Sequence, residues 1–514
     1  MATPLGPPIP WTTMRQLVRG SLILLAATVV VTASASGARK LAAIRAASGA
    51  LETGVGFDDK LPAAGYTEQF KRIRAAGAKY VQIRMSWSSV APSGSKQPSG
   101  FQPADPADPK YRWSGYDNMV QEATAAGLRP ILAITKAPRW AEGSFSGSED
   151  DGAFKPSPGA FAKFLTAAGQ RYGGSFQSLP RVQYWAIWNE PNYSFHLSPQ
   201  NASKKSFAPV LYRSMLNAAA DALHAVNSGN IVIGGETGPF GFASTSSASS
   251  NTMPLVFMEK VLCVGEKRVR NKLVYKSACN TKTKFDVWSH HPYTQGGPAT
   301  KAKVHGNASL GNMNEMRAVL NAALKANHVV SRQKVRLWVT EISWDSKPPD
   351  PRAVPIALET RWVSEMLYRM WGSGVSLVNW FILRDQPLES SLYQSGLYYA
   401  GSSISSDRAK PVLRAFRFPF VAFPQIGSKS VVQLWGRTPK SSSGSVVIER
   451  KSGSKWIRVK TLKANGSGIF KASIPKPAKT VLFRARLANG SDQSAEFSLK
   501  VPTHPWKGCV WGTC

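Results

Sequence analysis

The segment RVQYWAIWNEPNYSF, residues 181–195, joins an apolar strand to a carboxylate and then to a proline. The run from Val182 to Trp188 is rich in aromatic and aliphatic residues, which is typical of a strand buried on both faces. A charge at the tip of such a strand is costly unless it is paired or used, and Pro191 stops the strand. Glu190 is therefore expected to have a function where the strand ends.

The same plan of short apolar strand, polar loop and amphipathic helix is repeated eight times. The predicted strands cover residues 54–59, 78–84, 129–135, 182–189, 231–236, 285–291, 335–341 and 375–381. The predicted helices cover residues 67–77, 116–127, 158–172, 208–226, 254–262, 310–327, 356–371 and 410–417. Eight alternations predict an α/β protein with a (β/α)8 TIM barrel over residues 54–420. A doubly wound open sheet is the rival, but no glycine-rich phosphate turn follows any strand.

The pattern changes near Phe420. Short runs, some with apolar and polar residues alternating, are separated by Ser, Gly, Asn and Pro, and helical stretches are absent. This composition predicts a small C-terminal antiparallel β-sandwich over residues 425–502. Residues 503–514 form a Cys-containing tail, and residues 39–53 are expected to be a linker ahead of the barrel.

The N-terminal residues 1–38 have the organisation of an export signal. Arg15 and Arg19 precede the apolar run 22–31, and the small-residue stretch 33–35 fits a cleavage site. The apolar run is short for a membrane span, and no later segment is long and apolar enough to cross a bilayer. The sequence predicts a secreted, extracellular protein that can associate with the cell wall; an uncleaved anchor is the alternative.

The four cysteines are interpretable once export is assumed. Cys263 and Cys279 flank a basic loop, and Cys509 and Cys514 close the tail, so local pairing within each couple is favoured among three connectivities. No Cys or His spacing resembles a zinc site. No metal or organic cofactor is expected.

The chain is strongly basic, with 64 Lys and Arg against 30 Asp and Glu and a net charge of +34. Such a charge suggests nucleic acid as a partner, yet no nucleic-acid-binding motif is recognisable. For an exported protein an anionic cell-envelope polymer or an acidic polysaccharide is the expected partner. A general composition bias of the source is the competing explanation.

In eight-stranded α/β barrels the working groups lie at the C-terminal strand ends. Glu190 ends the fourth strand and Glu341 ends the seventh, so the two carboxylates approach the barrel mouth from roughly opposite sides. Glycoside hydrolysis requires a pair of this kind. Other polar groups at the strand ends are Asp58, Asp59, Arg84, Thr135, Lys136, Asn189, Glu236, His290, His291 and Tyr293.

The surroundings of each glutamate predict different roles. The aromatic neighbours of Glu190 are expected to raise its pKa, as a proton donor requires. Glu341 is expected to stay ionised as the nucleophile, held by Tyr293 and by the charge of Arg84. Asn189 can donate a hydrogen bond to the 2-hydroxyl of the sugar.

Two motifs, WNEPN at residues 188–192 and WVTEISW at residues 338–344, resemble those of the clan A retaining glycoside hydrolases. The pattern is most similar to glycoside hydrolase family 39, which contains β-xylosidases and α-L-iduronidase, and it covers residues 54–418. The resemblance implies a C-terminal β-sandwich and a non-proline cis peptide between Trp380 and Phe381. The site roles that it implies are the acid/base for Glu190, the nucleophile for Glu341, nucleophile partners for Arg84 and Tyr293, the 2-hydroxyl contact for Asn189, and sugar-binding walls for His291 and Trp380.

Several assignments have structural alternatives. Successive strand residues point to opposite faces, so only one of His290 and His291 faces the lumen, and the following proline and tyrosine favour His291. Trp87, Trp140 and Trp344 are placed to stack on sugar rings or, equally, to pack in the loop core. Asp58 is expected to bind a sugar hydroxyl or to lie in a solvated turn. Glu236 is expected to lie near the substrate or to form hydrogen bonds in the core. Lys136 and Arg139 can meet an acidic sugar, but solvated charges are the default expectation for both.

Taken together, these features predict a secreted retaining glycoside hydrolase that cleaves a polysaccharide or oligosaccharide, which can be acidic, by double displacement. Nucleic acid is not expected as a partner, nor is a membrane span after signal removal. The alternative is a non-catalytic carbohydrate-binding or envelope-associated protein on a barrel scaffold.

Overall fold

The computed structural model describes residues 41–46, 49–57, 62–144, 152–242, 247–270, 272–389, 391, 393–479 and 481–500. The predicted export signal, the tail with Cys509 and Cys514, and Asp58 lie outside these residues. Among the helices of the described residues, none has both the length and the apolar character needed to cross a membrane.

Eight parallel strands close into a barrel, which confirms the predicted fold. Each strand pairs with its neighbours in sequence, and the last pairs with the first. The strands are β1 Glu52–Gly56, β2 Tyr80–Ser86, β3 Arg129–Thr135, β4 Tyr184–Ile187, β5 Ile231–Thr237, β6 Val287–His290, β7 Arg336–Ile342 and β8 Val375–Trp380.

The helices between the strands are those that the sequence predicted, with ends shifted by a few residues. They are α1 Tyr66–Ala75, α2 Ser114–Ala125, α3 Pro158–Arg171, α4 Ala208–Val226, α5 Pro254–Leu262, α6 Met313–Lys325, α7 Ile356–Gly372 and α8 Pro411–Arg417. Local sequence sets the ends of several of them. Ser157 accepts a hydrogen bond from the Ala160 N–H at 3.3 Å at the start of α3, and Gly77 and Gly127 follow α1 and α2 with φ of 81° and 74°.

The N-terminal half of the barrel lumen is filled by side chains. The rings of Tyr80, Tyr184 and Trp338 contact one another with centroids 5.2–5.8 Å apart, and aliphatic residues from the other strands complete this layer. Because side chains alternate along a strand, the residues in this layer also fix which later residues face the lumen. Arg84 follows Tyr80 on the inward face, and His291 follows Val287.

The C-terminal β-sandwich is also confirmed, and it consists of two antiparallel sheets. Its strands are β9 Phe420–Pro424, β10 Val431–Arg437, β11 Gly444–Ser452, β12 Lys455–Ala464, β13 Ile469–Pro475, β14 Leu482–Leu487 and β15 Phe497–Ser498. The order is β9-β10-β13 in one sheet and β12-β11-β14-β15 in the other. The first sheet begins at Phe420 rather than at residue 425, because β9 pairs along its whole length with β10.

The sandwich shares a core with the barrel. Trp435 on β10 packs against Tyr368 and Trp371 of α7, with ring centroids 5.5 and 5.6 Å away. The buried guanidinium of Arg437 donates hydrogen bonds to the carbonyl of Leu51 at 3.1 Å and to that of Phe416 at 3.2 Å. A buried cation of the sandwich whose backbone partners lie in the barrel part of the chain ties the two parts together.

The predicted bond between Cys263 and Cys279 is present, with a Cα–Cα distance of 5.2 Å. The basic loop that it encloses is a β-hairpin of Val264–Val269 and Lys272–Ser277. The hairpin had not been predicted as strand, since its sequence is too polar to resemble a buried one.

Candidate active site

A cavity of about 470 Å³ opens at the C-terminal ends of the barrel strands, where the sequence predicted the site. Both predicted glutamates line it, Glu190 from the end of β4 and Glu341 from the end of β7. The other lining residues are Phe57, Arg84, Thr135, Lys136, Gly152, Ala153, Trp188, Asn189, Phe195, His196, Phe381, Ile382, Gln386 and Tyr393.

Glu341 enters the cavity because β7 contains a β-bulge. Between Val339 and Ile342 this strand has one more residue than the matching part of β8. The extra residue reverses the alternation of side chains, so that Glu341 faces the cavity although Trp338 faces the lumen below it.

Two donors hold the Glu341 carboxylate. The Tyr293 hydroxyl donates to Oε1 at 2.8 Å, and the Arg84 guanidinium donates to Oε2. Burial and the charge of Glu341 raise the pKa of Tyr293 well above its ordinary value, so this hydroxyl keeps the proton that it donates. Hydrogen bonds to both oxygens fix the orientation of Glu341, as a nucleophile requires.

Glu190 is turned into the cavity by a sharp bend after β4. Trp188 and Glu190 have φ of 72° and 39°, in the left-handed region that non-glycine residues rarely adopt. The bend is secured by the Trp188 indole, which donates to the carbonyl of His196 at 2.6 Å, and by the Glu190 N–H, which donates to the carbonyl of Glu236 at 2.8 Å. The break in the strand at Pro191 therefore directs a carboxylate into the cavity.

Glu190 is one end of a row of three ionisable side chains. His291 Nδ1 lies 3.2 Å from Glu190 Oε1, and His291 Nε2 lies 3.5 Å from Glu236 Oε2. His291 and Glu236 are fully buried, and the side chain of Glu190 is 14% exposed. Ser289 donates to the second oxygen of Glu236. A fourth group, His196, places Nε2 3.6 Å from Glu190 Oε2.

The charges in this row correct the predicted state of Glu190. Burial alone would raise its pKa, but the interactions with the neighbouring His196 and His291 outweigh burial and lower the pKa to about 2. For His291, burial alone would lower the pKa; the charge of Glu341, the hydrogen bond to Glu190 and the nearby Glu236 carboxylate raise it to about 10. In the free site the proton of this row therefore resides on His291, and Glu190 is ionised.

Of the two histidines, His291 is the one that points towards Glu190, but it is fully buried and does not line the cavity, so it does not form the sugar-binding wall predicted for it. The imidazole of His290 points the other way, and its Nε2 donates to the Ala308 carbonyl at 2.8 Å. Its Nδ1 lies 2.8 Å from the Thr237 hydroxyl. Burial lowers the pKa of His290 to about 4, so this second histidine is neutral.

Asn189 lies in the cavity as predicted, and His196 is its partner. Asn189 Nδ2 is 3.1 Å from His196 Nε2, which also faces Glu190. His196 was not recognised in the sequence. The signal available for it was a histidine seven residues after Asn189, in the same loop at the barrel mouth.

Three tryptophans predicted to bind sugar do not line the cavity. Trp87 begins a short helix, Trp87–Val90, that packs its ring against Phe161 and Phe164 of α3, each with centroids 5.5 Å away. Trp344 and Trp380 are 2% and 0% exposed, and both indole N–H groups donate to backbone carbonyls. Their burial gives no support to a role in stacking on sugar.

Phe381 occupies the position in the cavity wall predicted for Trp380. Its ring centroid lies 5.2 Å from the guanidinium carbon of Arg84 and 4.9 Å from the ring of Tyr393. The peptide bond between Trp380 and Phe381 is trans, contrary to the prediction. Its N–H donates to the Ile342 carbonyl at 3.1 Å, which continues the pairing of β8 with β7.

Lys136 lines the cavity, and its side chain is exposed. In the described part of the chain, no group of three or more His, Cys, Asp or Glu has the arrangement needed to hold a metal ion.

No protein-family model matches the chain, and no curated protein matches its sequence. Solved structures with a similar fold include a family 39 glycoside hydrolase from Bacteroides cellulosilyticus WH2, at 14% identity and a TM-score of 0.49 over 85% of this chain and 83% of that one. They also include a monomeric β-xylosidase from Caulobacter crescentus CB15, at 15% identity and a TM-score of 0.47 over 87% and 97% of the two chains. A third is the family 39 enzyme from Xanthomonas axonopodis pv. citri, at 13% identity and a TM-score of 0.43 over 87% and 95%.

The family that the sequence resembles is thus represented among these structures. At this level of identity the likeness is one of fold alone.

Proposed function

We propose that the protein is a retaining glycoside hydrolase in which Glu341 is the nucleophile and Glu190 the acid/base. The observation that carries this proposal is the contrast between two glutamates of one cavity. Both oxygens of Glu341 accept hydrogen bonds from Arg84 and Tyr293, whereas Glu190 faces a protonated imidazole. One carboxylate is thereby fixed for attack, and the other has a proton source.

In the first step Glu341 attacks the anomeric carbon and forms a glycosyl ester as the bond to the departing oxygen breaks. Glu190 delivers a proton to that oxygen. Because Glu190 is ionised in the free site, the proton comes from His291 Nδ1, 3.2 Å away. Asn189, at the cavity wall beside Glu190, is the donor for the sugar 2-hydroxyl.

In the second step a water molecule attacks the same carbon, and Glu190 accepts the proton of this water. The ester bond to Glu341 breaks, the sugar is released with its original anomeric configuration, and His291 regains its proton through Glu190. In retaining glycosidases in general, the two carboxyl groups lie roughly 5–5.5 Å apart, which permits this double displacement. Inverting enzymes separate the two groups further to admit a water molecule.

Glu236 is a positioning residue in this scheme, since it acts through His291. Replacing Glu236 with glutamine removes a negative charge that stabilises the imidazolium, so His291 loses its proton at lower pH. The alkaline limb of the pH profile of kcat/KM is expected to move down by roughly one unit. Glu236→Asp keeps the negative charge, so the alkaline limb should stay close to its position in the wild type. Identical profiles for the wild type and Glu236→Gln would contradict the proton path.

Export belongs to the proposal as well. The bond between Cys263 and Cys279 supports it, because disulfides form and persist in oxidising compartments. An exported glycosidase would act on polymers outside the cell, and the exposed Lys136 in the cavity would tolerate or favour an acidic sugar.

The stereochemistry of the product tests the proposed reaction. A panel of nitrophenyl glycosides and polysaccharides, acidic ones included, is screened for hydrolysis, and the first product of the best substrate is followed by proton NMR. The initial product is expected to have the anomeric configuration of the substrate. An inverted first product, or no hydrolysis of any member of a broad panel, would count against the proposal.

A further inference from the structure

The sandwich has a groove of about 920 Å³, at the end where the connection between β11 and β12 meets the segment between β13 and β14. Val459, Ile474 and Phe483 are among its apolar lining residues, and prolines 475 and 477 lie on one side. This groove is called the sandwich groove below. It is separate from the catalytic cavity, with which it shares no lining residue.

Four cationic side chains line the sandwich groove, and no carboxylate does. They are Arg450 and Lys451 at the end of β11, and Lys476 and Lys479 after β13. Within the described residues, none of the four forms an ion pair with Asp or Glu. By contrast, nearby Arg484 and Arg486 both bind Glu449, at 2.7 and 2.8 Å. The groove cations are therefore not neutralised by the fold.

The composition of the whole sandwich also shows an excess of positive charge. Residues 425–500 contain fifteen Lys and Arg against three Asp and Glu. Like charges gathered in one place repel one another and lower the stability of the folded state. A fold that accumulates them without partners gains from an external anion.

Protection of a sheet edge does not explain the groove cations. The edge strand β12 carries exposed Lys455, Lys460 and Lys463, and lysines on an edge discourage pairing with other chains. The four groove cations lie instead at the end of β11, an inner strand of its sheet, and in the connection between β13 and β14.

We propose that the sandwich groove binds a segment of a linear polysaccharide that carries carboxylate groups. A concave channel suits an extended chain rather than the plane of a membrane. Single-stranded nucleic acids need exposed aromatic faces for stacking, but Phe483, the aromatic residue that lines the groove, is 0% exposed. Ammonium groups beside the exposed or partly exposed side chains of Val459, Pro475 and Leu482 instead match carboxylates along a chain of sugar rings whose C–H faces are apolar.

The test compares two variants of the full chain that lose the same charge. The groove variant is K451Q/K476Q/K479Q, and the control is K455Q/K460Q/K463Q on the exposed edge strand. Both carry Glu341→Gln, so that hydrolysis does not interfere and binding is measured independently of the proposed catalysis. Polygalacturonate is the probe, titrated by calorimetry at low salt, and fully methyl-esterified polygalacturonate is the uncharged reference.

The Glu341→Gln chain without lysine substitutions, which is the parent of both variants, is expected to bind polygalacturonate and not its methyl ester. The groove variant should bind about ten-fold more weakly or worse, because three ion pairs are lost, and the control should lose less than about three-fold. Equal losses in both variants would mean unspecific attraction by net charge and would overturn the proposal. Tighter binding to oligothymidylate or to phosphatidylglycerol vesicles than to polygalacturonate would also overturn it.

Discussion

Replacing Glu341 with glutamine is expected to lower kcat/KM by a factor on the order of 10⁴ or more, on whichever glycoside the protein hydrolyses best. Glutamine keeps the size of the side chain and can still accept a hydrogen bond from Tyr293. It cannot form the ester to the anomeric carbon, so the loss lies in the chemical step. The circular dichroism spectrum and Tm should stay close to those of the parent.

Glu359→Gln is the matched control for this variant. Glu359 is a fully buried glutamate on α7 that does not line the cavity, and within the described structure its carboxylate oxygens have no hydrogen-bond partner. The same substitution at this position should leave kcat/KM within a few-fold of the parent. Comparable losses at the two positions would show that the effect of Glu341→Gln is not specific to the cavity.

Replacing Glu190 with alanine is expected to cause a loss that depends on the leaving group. For alkyl or sugar leaving groups, which need a proton, kcat/KM should fall roughly 10²- to 10⁴-fold. For dinitrophenyl glycosides, which depart without a proton, the first step should be nearly unaffected, and hydrolysis of the glycosyl ester should become rate-limiting. A burst of dinitrophenol followed by a slow steady state is the expected signature.

Addition of azide gives a second test of the acid/base role of Glu190. This anion needs no general base, so it should accelerate the slow second step in Glu190→Ala and yield a glycosyl azide of retained configuration. The same addition to Glu341→Gln should give no azide of retained configuration, because that variant lacks the first displacement. Loss of activity in Glu190→Ala that is equal for all leaving groups and insensitive to azide would refute the acid/base role.

Much of the fold could be predicted because buried parallel strands leave a clear trace in sequence. Each barrel strand is a short apolar run, and each is followed by a helix with its own terminal signals, such as Gly77 and Gly127. The sandwich strands were recognisable from their turns. The strand at Phe420–Pro424 was missed; only Phe418 and Pro419 separate it from α8, so in the sequence it directly follows the last helix of the barrel.

Fewer features of the candidate site than of the fold could be predicted from the sequence. Both glutamates were found by reading strand ends, yet alternation alone would have placed Glu341 on the face opposite to Trp338; the bulge that reverses this is a property of pairing with β8. Likewise, the aromatic neighbours of Glu190 in sequence suggested a raised pKa, whereas the groups that set its charge are His291 and His196. Contacts between distant segments decide both features.

The tryptophans illustrate the same difficulty. A large aromatic residue at a strand end can stack on a sugar or fill the loop core, and its sequence neighbours are the same in both cases. Here the ring of Trp380 turns into the core, and the next residue, Phe381, reaches the cavity. The packing of the following loop decides which of these two adjacent residues reaches the cavity.

The central claim, that Glu341 and Glu190 act on one anomeric carbon from the same cavity, is tested most directly by trapping the covalent intermediate. The protein is incubated with activated 2-deoxy-2-fluoro glycosides of the sugar that the substrate panel identifies, then digested and analysed by tandem mass spectrometry. The expected product is a single fluoroglycosyl group in ester linkage to Glu341, formed in the parent and, since an activated leaving group departs without a proton, also in Glu190→Ala. Labelling of another residue, or turnover of the good substrate without any labelled peptide, would contradict it.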